Sequence, residues 1–521
     1  MTENSNFKLC ILAAGLGTRN TTVPGLHKAL LPVENKAAIS HIIKSVSENV
    51  GVVIAIGHKA QQVETYVRAI FPNRSIEFVM IDNYDGPGSG PGQSLLECKD
   101  YLQTPFIFTS ADTIVEETHK LQRLQENWVG ASGIRPECAM NYCLIKGEKY
   151  LEELYYGSGT IAYNGIAGIY DYKKFWKSLE ERKKTNKEFQ VIHGFEGLSE
   201  TKLYYFTWHD TGNNEAYKAT RQAFSDEIVA PKNEEVIFID QGHVIKYFSD
   251  KEKVEKRVKR VDFLNRCAPE VTTLNENMYT YPYINGDLLS NILEESVLKG
   301  AVSFFIDRLG SQQLEKTPGF IEDCKKMYET KALKRIEYFV GSDLDKATHI
   351  NGVAVESITE LLAKVDWERV YDLATPTRFH GDFQPENIIY DGSTYHLIDW
   401  RESFGDSLEV GDLYYDLGKL YHALLINGQM VLGKEYRHSI RGNKAYLQYN
   451  GKSNLLFLLN YLEDYCIEHG LNWENVVLLG ILQYIGISSL YKEFHDGRYG
   501  EFLFLLGKYL LTKKINKERN E

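Results

Sequence analysis

The sequence has few of the features that mark exported or metal-cluster proteins. Only seven of its 521 residues are cysteine, with no CxxC pair and no histidine partner at zinc-ligand spacing. The polar stretch Met1 to Phe7 lacks the charged-then-apolar order of a signal peptide. We therefore expect reduced thiols and a cytoplasmic protein.

Excess positive charge and long apolar runs are also missing. The formal net charge is −12, whereas a general nucleic-acid binder needs a basic surface that displaces counterions from phosphate. The most apolar late segment, Val476 to Tyr491, contains Gln483, Ser488 and Ser489, so we predict a buried helix there. We expect no nucleic-acid partner and no stable membrane insertion.

The first part of the chain alternates between strand-like and helix-like segments. The length alone predicts two or more domains. Alternation of strand and helix indicates an α/β fold with a doubly wound parallel sheet, as in Rossmann-like domains. The predicted strands are 8–14, 50–56, 76–81 and 106–109, and the predicted helices are 38–47, 61–69 and 93–101.

Near residue 225 the pattern changes. Residues 235–240 and 243–248 flank the turn Gln241-Gly242, which is typical of an antiparallel hairpin. Helical periodicity dominates beyond residue 288. We therefore predict two domains, 1–225 and 226–521.

A glycine turn follows the first predicted strand directly. Two glycines after a buried strand let backbone amides approach a triphosphate without side-chain obstruction. Two cations a short loop apart suit a pyrophosphate leaving group. The turn residues are Ala14, Gly15, Gly17 and Thr18, and the cations are Arg19 and Lys28.

This stretch resembles the sugar-phosphate and choline-phosphate nucleotidyltransferase family, whose signature is an AAGxGTR loop followed by a lysine and LLPV. The resemblance covers residues 7 to 225. It implies that the loop and Arg19 hold the triphosphate, that Lys28 acts at the attacked phosphate, and that Asp112 and Asp210 bind Mg²⁺. It also places Gln93 in the base-recognition segment.

Two residues depart from the family pattern. Asn20 replaces the usual leucine after the arginine, and His27 stands where proline often precedes the lysine. Neither change removes a charge that the chemistry needs.

A second motif, His380 to Asn387, is followed by Asp399 twelve residues after the asparagine. It resembles the catalytic and metal motifs of aminoglycoside, choline and ethanolamine kinases, over residues 228 to 521, and implies a bilobal protein-kinase-like domain. Phosphoryl transfer needs a base, metal ligands and a cation on the nucleotide phosphates. The resemblance assigns these roles to Asp382 as base, Asn387 and Asp399 as metal ligands, and Lys246 as phosphate contact.

Glu255 on the helix after the hairpin is the predicted partner of Lys246, with Glu252 as its rival. A protein kinase is disfavoured because no activation segment ending in an APE motif follows the metal aspartate.

Two such domains on one chain predict consecutive steps. The kinase phosphorylates a small alcohol with ATP, and the transferase couples that phosphate to a nucleotide, with CTP as first choice. The product is an activated headgroup for surface glycan or lipid synthesis. Two alternatives stay open: a sugar kinase joined to a nucleotide-sugar pyrophosphorylase, and a chain in which one domain only senses a nucleotide or metabolite.

Overall fold

A computed structural model describes residues 6–181, 189–224 and 234–520. These residues form two compact units. One contains the described residues up to 224 together with 234–250 and 273–280, and the other contains 251–272 and 281–520. The predicted boundary between residues 225 and 226 lies outside the described residues and stays a prediction.

The first unit is built on a nine-stranded sheet. Its strands up to residue 224, including short pairs outside that sheet, are β1 Lys8–Ala13, β2 Pro32–Val33, β3 Lys36–Ala37, β4 Gly51–Ile56, β5 Ile76–Met80, β6 Phe106–Ser110, β7 Thr113–Val115, β8 Trp128–Gly133, β9 Leu144–Lys146, β10 Glu153–Tyr155, β11 Ile161–Ile169, β12 Lys202–Tyr205 and β13 Trp208–Asp210. Its α-helices are α1 Ala38–Lys44, α2 Ala60–Ile70, α3 Pro91–Glu97, α4 Tyr172–Glu181 and α5 Asn214–Ala223.

The centre of the sheet has the predicted parallel order. Strands β6, β1, β4 and β5 are parallel neighbours, and β11 joins β6 antiparallel. Helices α1 and α2 pack on one face of the sheet, while α3 and α4 pack on the other. The doubly wound α/β fold is therefore confirmed, and it places the carboxyl ends of β1 and β6 side by side.

A small four-stranded sheet follows, in the order β14 Glu235–Asp240, β15 His243–Phe248, β17 Met278–Pro282 and β16 Thr272–Asn275. The predicted hairpin is confirmed in β14 and β15. Its apolar face joins the core of the first unit, because Phe238 is fully buried with its ring 4.9 Å from that of Tyr66. Tyr247 also donates from its hydroxyl to the Pro24 carbonyl over 3.0 Å.

The second unit is mainly helical. Its α-helices are α6 Lys251–Arg260, α7 Glu295–Phe305, α8 Pro318–Lys325, α9 Lys331–Ile336, α10 Ile358–Leu362, α11 Trp367–Leu373, α12 Leu413–Leu425, α13 Gly428–Leu432, α14 Ser453–Glu468, α15 Trp473–Ser488 and α16 Arg498–Asn520. Its strands are β18 Asp287–Leu288, β19 His349–Ile350, β20 Val353–Ala354, β21 Pro376–Thr377, β22 Ile388–Tyr390, β23 Tyr395–Leu397, β24 Gly411–Asp412, β25 Tyr436–Arg441 and β26 Lys444–Tyr449.

Helix α15 is central to this unit. It packs against α9, α12 and α16. By length and composition alone the segment Trp473–Tyr491 is apolar enough to cross a membrane, yet 67% of it is buried inside the protein. The prediction of a buried helix is confirmed, and the apolar composition is that of a core element.

Candidate active sites

The glycine turn after β1 forms one wall of the first site. Ala14 is buried, and Gly17 has a φ of +67°, a left-handed conformation that glycine adopts without strain. A Cβ on Gly17 would lie 3.1 Å from Cδ of Lys28, so the turn rests on the lysine stem. Thr18 and Arg19 are exposed at the tip of the turn. A side chain at position 17 would therefore press on Lys28.

Lys28 begins a short 3₁₀ helix, Lys28–Leu30, whose cap is His27. The backbone N–H of Ala29 donates to Nδ1 of His27 over 3.1 Å. Burial lowers the pKa of His27 to about 3, so the ring is neutral and accepts this bond. The histidine that departs from the family pattern thus holds Lys28 in place. Nζ of Lys28 lies 2.9 Å from Oδ2 of Asp112.

Asp112 and Asp210 meet because of a strand pairing. Asp112 lies between β6 and β7, and β13 pairs antiparallel with β7 so that Asp210 is opposite Thr113. A Cβ on Gly212 would lie 2.9 Å from Oδ1 of Asp210 and 3.1 Å from Oδ2 of Asp112. The two carboxylates therefore surround one point.

The charges at this point are unequal. Burial would raise the pKa of Asp112, but Lys28, Ser110 and Arg19 together lower it to about 2. Burial and the neighbouring Asp112 raise the pKa of Asp210, which accepts bonds from the Gly212 N–H and the Tyr142 hydroxyl. Two adjacent carboxylates repel each other unless a cation lies between them.

Asp112 and Asp210 fit Mg²⁺, which takes one or two carboxylates together with phosphate oxygens. No group of three or more His, Cys, Asp or Glu side chains within residues 6–181, 189–224 and 234–520 is arranged to hold a metal. The remaining ligands would come from a nucleotide. Gln93 is buried in α3 and its amide donates to Glu97 one turn away, so its role in base recognition stays a prediction.

In the second unit the loop His380 to Asp382 is held by buried charges. The N–H groups of His380 and Gly381 donate to the two Asp416 oxygens over 2.8 and 2.7 Å. Burial raises the pKa of Asp416 to about 7 and lowers that of His380 to about 4. Arg260, fully buried, donates to the carbonyls of four residues around the loop, namely Phe379, His380, Arg401 and Leu408.

Asp382 is surrounded by donors. Nζ of Lys419 lies 2.9 Å from its Oδ1, and the Asn387 amide donates to its Oδ2 over 2.9 Å. Gln384 donates to the same Oδ2 over 3.4 Å. Burial would raise the pKa of Asp382, but Lys419 outweighs it and lowers the pKa. The carboxylate therefore stays ionised, which a proton acceptor requires.

Asn387 and Asp399 also fit Mg²⁺. The Asn387 amide nitrogen points to Asp382, so its oxygen remains an acceptor, and carboxylate and amide oxygens are hard ligands. Asp399 has a left-handed φ of +56°. Its Oδ1 lies 2.6 Å from Nη1 of Arg257 on α6, a partner that the sequence motifs did not reveal.

The predicted pairing of Lys246 with Glu255 is not supported. Glu255 is exposed, and its carboxylate pairs with Lys259 one turn along α6 at 2.6 Å. The inward face of α6 carries Val254, Arg257 and Arg260 instead. Lys246 is buried and lies 3.3 Å from Glu235 across the hairpin. Its contact with nucleotide phosphates stays a prediction.

Several site residues received no role from the sequence, and two of them had a visible signal. Lys419 is the only lysine in the apolar helix α12, and a charge among apolar helical residues indicates a buried partner. Asp416 lies in the same helix, one turn earlier. Tyr142 and Arg257 had no such signal, because only the folded chain brings them to Asp210 and Asp399.

Comparison with known families agrees with this division into two sites. Residues 9–157 match the family model of the MobA-like NTP transferase domain, and residues 327–448 match that of the phosphotransferase enzyme family. The chain therefore combines domains of two transferase families. Its N-terminal half carries a nucleotidyltransferase domain and its C-terminal half a phosphotransferase domain, as the motifs predicted.

Individual relatives match only in part. Over 126 residues the chain is 27% identical to the bifunctional protein GlmU of Methanococcus vannielii, and it spans 29% of that curated relative's length. Similar solved structures include a UDP-glucose pyrophosphorylase (19% identity, 42% of this chain and 99% of that one, TM-score 0.36). Another is the CTP:phosphocholine cytidylyltransferase of Streptococcus pneumoniae (15% identity, 42% and 99%, TM-score 0.35).

Proposed function

We propose that this protein is a bifunctional enzyme that phosphorylates a small alcohol with ATP and then couples the phosphate ester to a nucleotide, with release of pyrophosphate. The observation that carries the proposal is the presence on one chain of two complementary sites. Asp382 is an ionised carboxylate in the phosphotransferase domain, and Asp112 and Asp210 form a carboxylate pair beside Lys28 in the nucleotidyltransferase domain.

In the kinase step, Asp382 accepts the proton of the acceptor hydroxyl as its oxygen attacks the γ-phosphorus of ATP. Lys419 keeps Asp382 ionised and fixes the carboxylate in position. His380 and Gly381, anchored on Asp416, hold the backbone of this loop.

In the transferase step, an oxygen of the phosphate ester attacks the α-phosphorus of the nucleotide. Lys28 and Arg19 neutralise charge on the triphosphate, and the amides of Gly15 and Gly17 contact it. Magnesium, held by Asp112 and Asp210 here and by Asn387 and Asp399 in the kinase, would neutralise phosphate charge when bound. A phosphate monoester is both the product of the first step and the nucleophile of the second.

We propose CTP as the nucleotide, because the AAGxGTR loop resembles that of choline-phosphate cytidylyltransferases beside a kinase of the choline kinase type. The product would be a CDP-linked headgroup for surface glycan or lipid synthesis. We also propose a cytoplasmic location, supported by seven cysteines that are all free thiols.

The test is a rescue experiment. Asp382→Asn protein should form no nucleotide-linked product from ATP, CTP and an alcohol, but should form it when the isolated product of the wild-type kinase is supplied. Mass analysis identifies both products. If the mutant binds nucleotide but fails with that phosphate, the two steps are not consecutive.

A further inference from the structure

Four basic side chains lie around the Asp382 loop in the second unit. We call Lys331, Arg335, Arg401 and Lys419 the cation cluster. Lys419 contacts Asp382 directly. Arg401 packs on the loop, since a Cβ on Gly381, whose φ is +87°, would lie 2.6 Å from Cβ of Arg401. The backbone N–H of Arg401 also donates to the His380 carbonyl over 3.0 Å.

Tyr415 of α12 connects the cluster to α9. The ring is fully buried, and its hydroxyl lies 3.4 Å from Nη1 of Arg401. Nζ of Lys331 lies 5.8 Å from the ring centroid, and Arg335 follows one turn later on α9. Lys331 itself comes directly after a π-helical turn, Lys326–Thr330, a distortion that is frequent at functional sites.

The cluster lacks matching negative charge. Among the described parts of the chain, no carboxylate lies within 4.0 Å of Lys331, Arg335 or Arg401. Asp382 is already paired with Lys419. Glu402 lies 3.8 Å from Arg257, and despite its burial the charges of Arg401 and Arg257 lower its pKa, so this one carboxylate is shared between the two arginines. Burial and the neighbouring cations lower the pKa of Lys331 well below its usual value.

Such an arrangement is costly in the folded protein. A partly buried ammonium without a carboxylate partner opposes folding, and adjacent like charges add to the penalty. Arg335 has a structural role as well, because it donates to the Gly486 carbonyl near the end of α15 over 2.7 Å. Among the described residues the Lys331 ammonium contacts the Tyr415 ring but no carboxylate, so a negatively charged ligand would complete its surroundings.

We propose that the cation cluster binds an anionic group of the kinase acceptor, a carboxylate or a phosphate monoester, so that the acceptor is a hydroxyl compound already carrying negative charge. This inference rests on the proposed kinase step. In that step the acceptor hydroxyl oxygen bonds to the γ-phosphorus of ATP, and the bond from that phosphorus to the β-bridging oxygen breaks. ADP leaves with the electron pair, and Asp382 takes the hydroxyl proton.

The first test compares acceptors that share a carbon skeleton. The full-length protein is assayed for ADP release with glycerol, glycerate and glycerol 3-phosphate, with glucose, gluconate and glucose 6-phosphate, and with choline. We expect an anionic compound to exceed its neutral counterpart and choline in kcat/KM by roughly 10- to 100-fold, as charge-assisted hydrogen bonds allow. Comparison of glycerate and gluconate with glycerol 3-phosphate and glucose 6-phosphate shows whether the cluster prefers a carboxylate or a phosphate. Preference for a neutral or cationic acceptor overturns the inference.

The second test removes one cation. Lys331→Met should raise KM for the anionic acceptor at least about tenfold and leave KM for ATP unchanged, while Lys331→Arg restores acceptor binding. The matched control is Lys334→Met, which removes an exposed lysine from the same helix. We expect Lys331→Met to unfold at the same or a higher temperature, because it removes a partly buried charge that has no carboxylate partner among the described residues. A rise in KM for ATP instead would assign the cluster to nucleotide phosphate and overturn the inference.

A binding measurement distinguishes failure of this inference from failure of the proposed kinase step. Saturation-transfer NMR measures association of the same compounds with Asp382→Asn protein, with and without Lys331→Met. If no compound is phosphorylated but an anionic one binds and Lys331→Met abolishes binding, the kinase step fails and the cation cluster stands. If a neutral alcohol is phosphorylated with a higher kcat/KM than any anionic compound, the kinase step stands and the inference fails. Failure of every anionic compound to bind also overturns it.

Discussion

Both sites contain a lysine–aspartate ion pair, but the charges around that pair differ between them. In each, a lysine Nζ lies 2.9 Å from an aspartate of the site: Lys28 from Asp112, and Lys419 from Asp382. In the nucleotidyltransferase site a second carboxylate, Asp210, lies beside the first. In the phosphotransferase site the second carboxylate, Asp399, is paired with Arg257, and further cations lie near Asp382. The carboxylates therefore outnumber the cations next to Asp112, whereas cations outnumber carboxylates around Asp382.

The environment of each lysine differs accordingly. Lys28 lies on a short 3₁₀ helix at the edge of a sheet, next to an exposed glycine turn. Lys419 lies in the middle of the buried helix α12. An aspartate with a fixed cation stays ionised in either setting, so local charge, more than burial, determines the protonation state of these two carboxylates.

The largest expected effects come from removing one member of each pair. Asp382→Asn should reduce ADP release by roughly 10²- to 10⁴-fold, the loss expected for a positioned base. Lys28→Ala should reduce pyrophosphate release by roughly 10²- to 10³-fold, as for loss of a charge that stabilises the transition state. Each variant is the other's control, assayed for both activities. Equal loss of both activities in either variant would contradict two independent sites.

A smaller effect is expected in the packing of the hairpin. Phe238→Ala should destabilise the first unit by about 3–5 kcal/mol, because the ring is fully buried in a core shared with the nucleotidyltransferase sheet. The control is Ile239→Ala, whose side chain is 38% exposed on the same strand. Hydrogen exchange of β1 and β4 amides in urea measures the change. Equal protection in the two variants would show that the hairpin folds apart from the sheet.

The smallest effect is in pH dependence. Burial and Asp112 raise the pKa of Asp210, so on acidification Asp210 takes up a proton at a higher pH than an ordinary aspartate, whose pKa is about 3.9. Lys419 lowers the pKa of Asp382, so that base keeps its charge further into acid. In the metal-free protein Asp210 should therefore take up its proton at a higher pH than Asp382, as NMR of the side-chain carboxyl carbons would measure. The reverse order would contradict the charge difference between the sites.

The motifs predicted the parts of each site that are local in the chain. The loop from Ala14 to Arg19 follows β1, and Asp112 follows β6, its parallel neighbour. Because parallel strands end at the same edge of a sheet, the sequence could predict that Asp112 lies near this loop and near Lys28. The prediction failed for Glu255, because the motif indicates a helix but not which face of α6 turns inward. Arg257 occupies the inward position and pairs with Asp399.

What the sequence alone determined was the class of each domain, and it predicted which residues carry the chemistry, because glycine turns, carboxylates and their spacing are local properties of the chain. The tertiary structure decided the rest. It packed the hairpin residues Phe238 and Tyr247 into the core of the first unit. It also placed Lys419, Arg401 and Lys331 around Asp382, because side-chain contacts over 19 to 51 residues depend on helix packing, which hydrophobic periodicity does not specify.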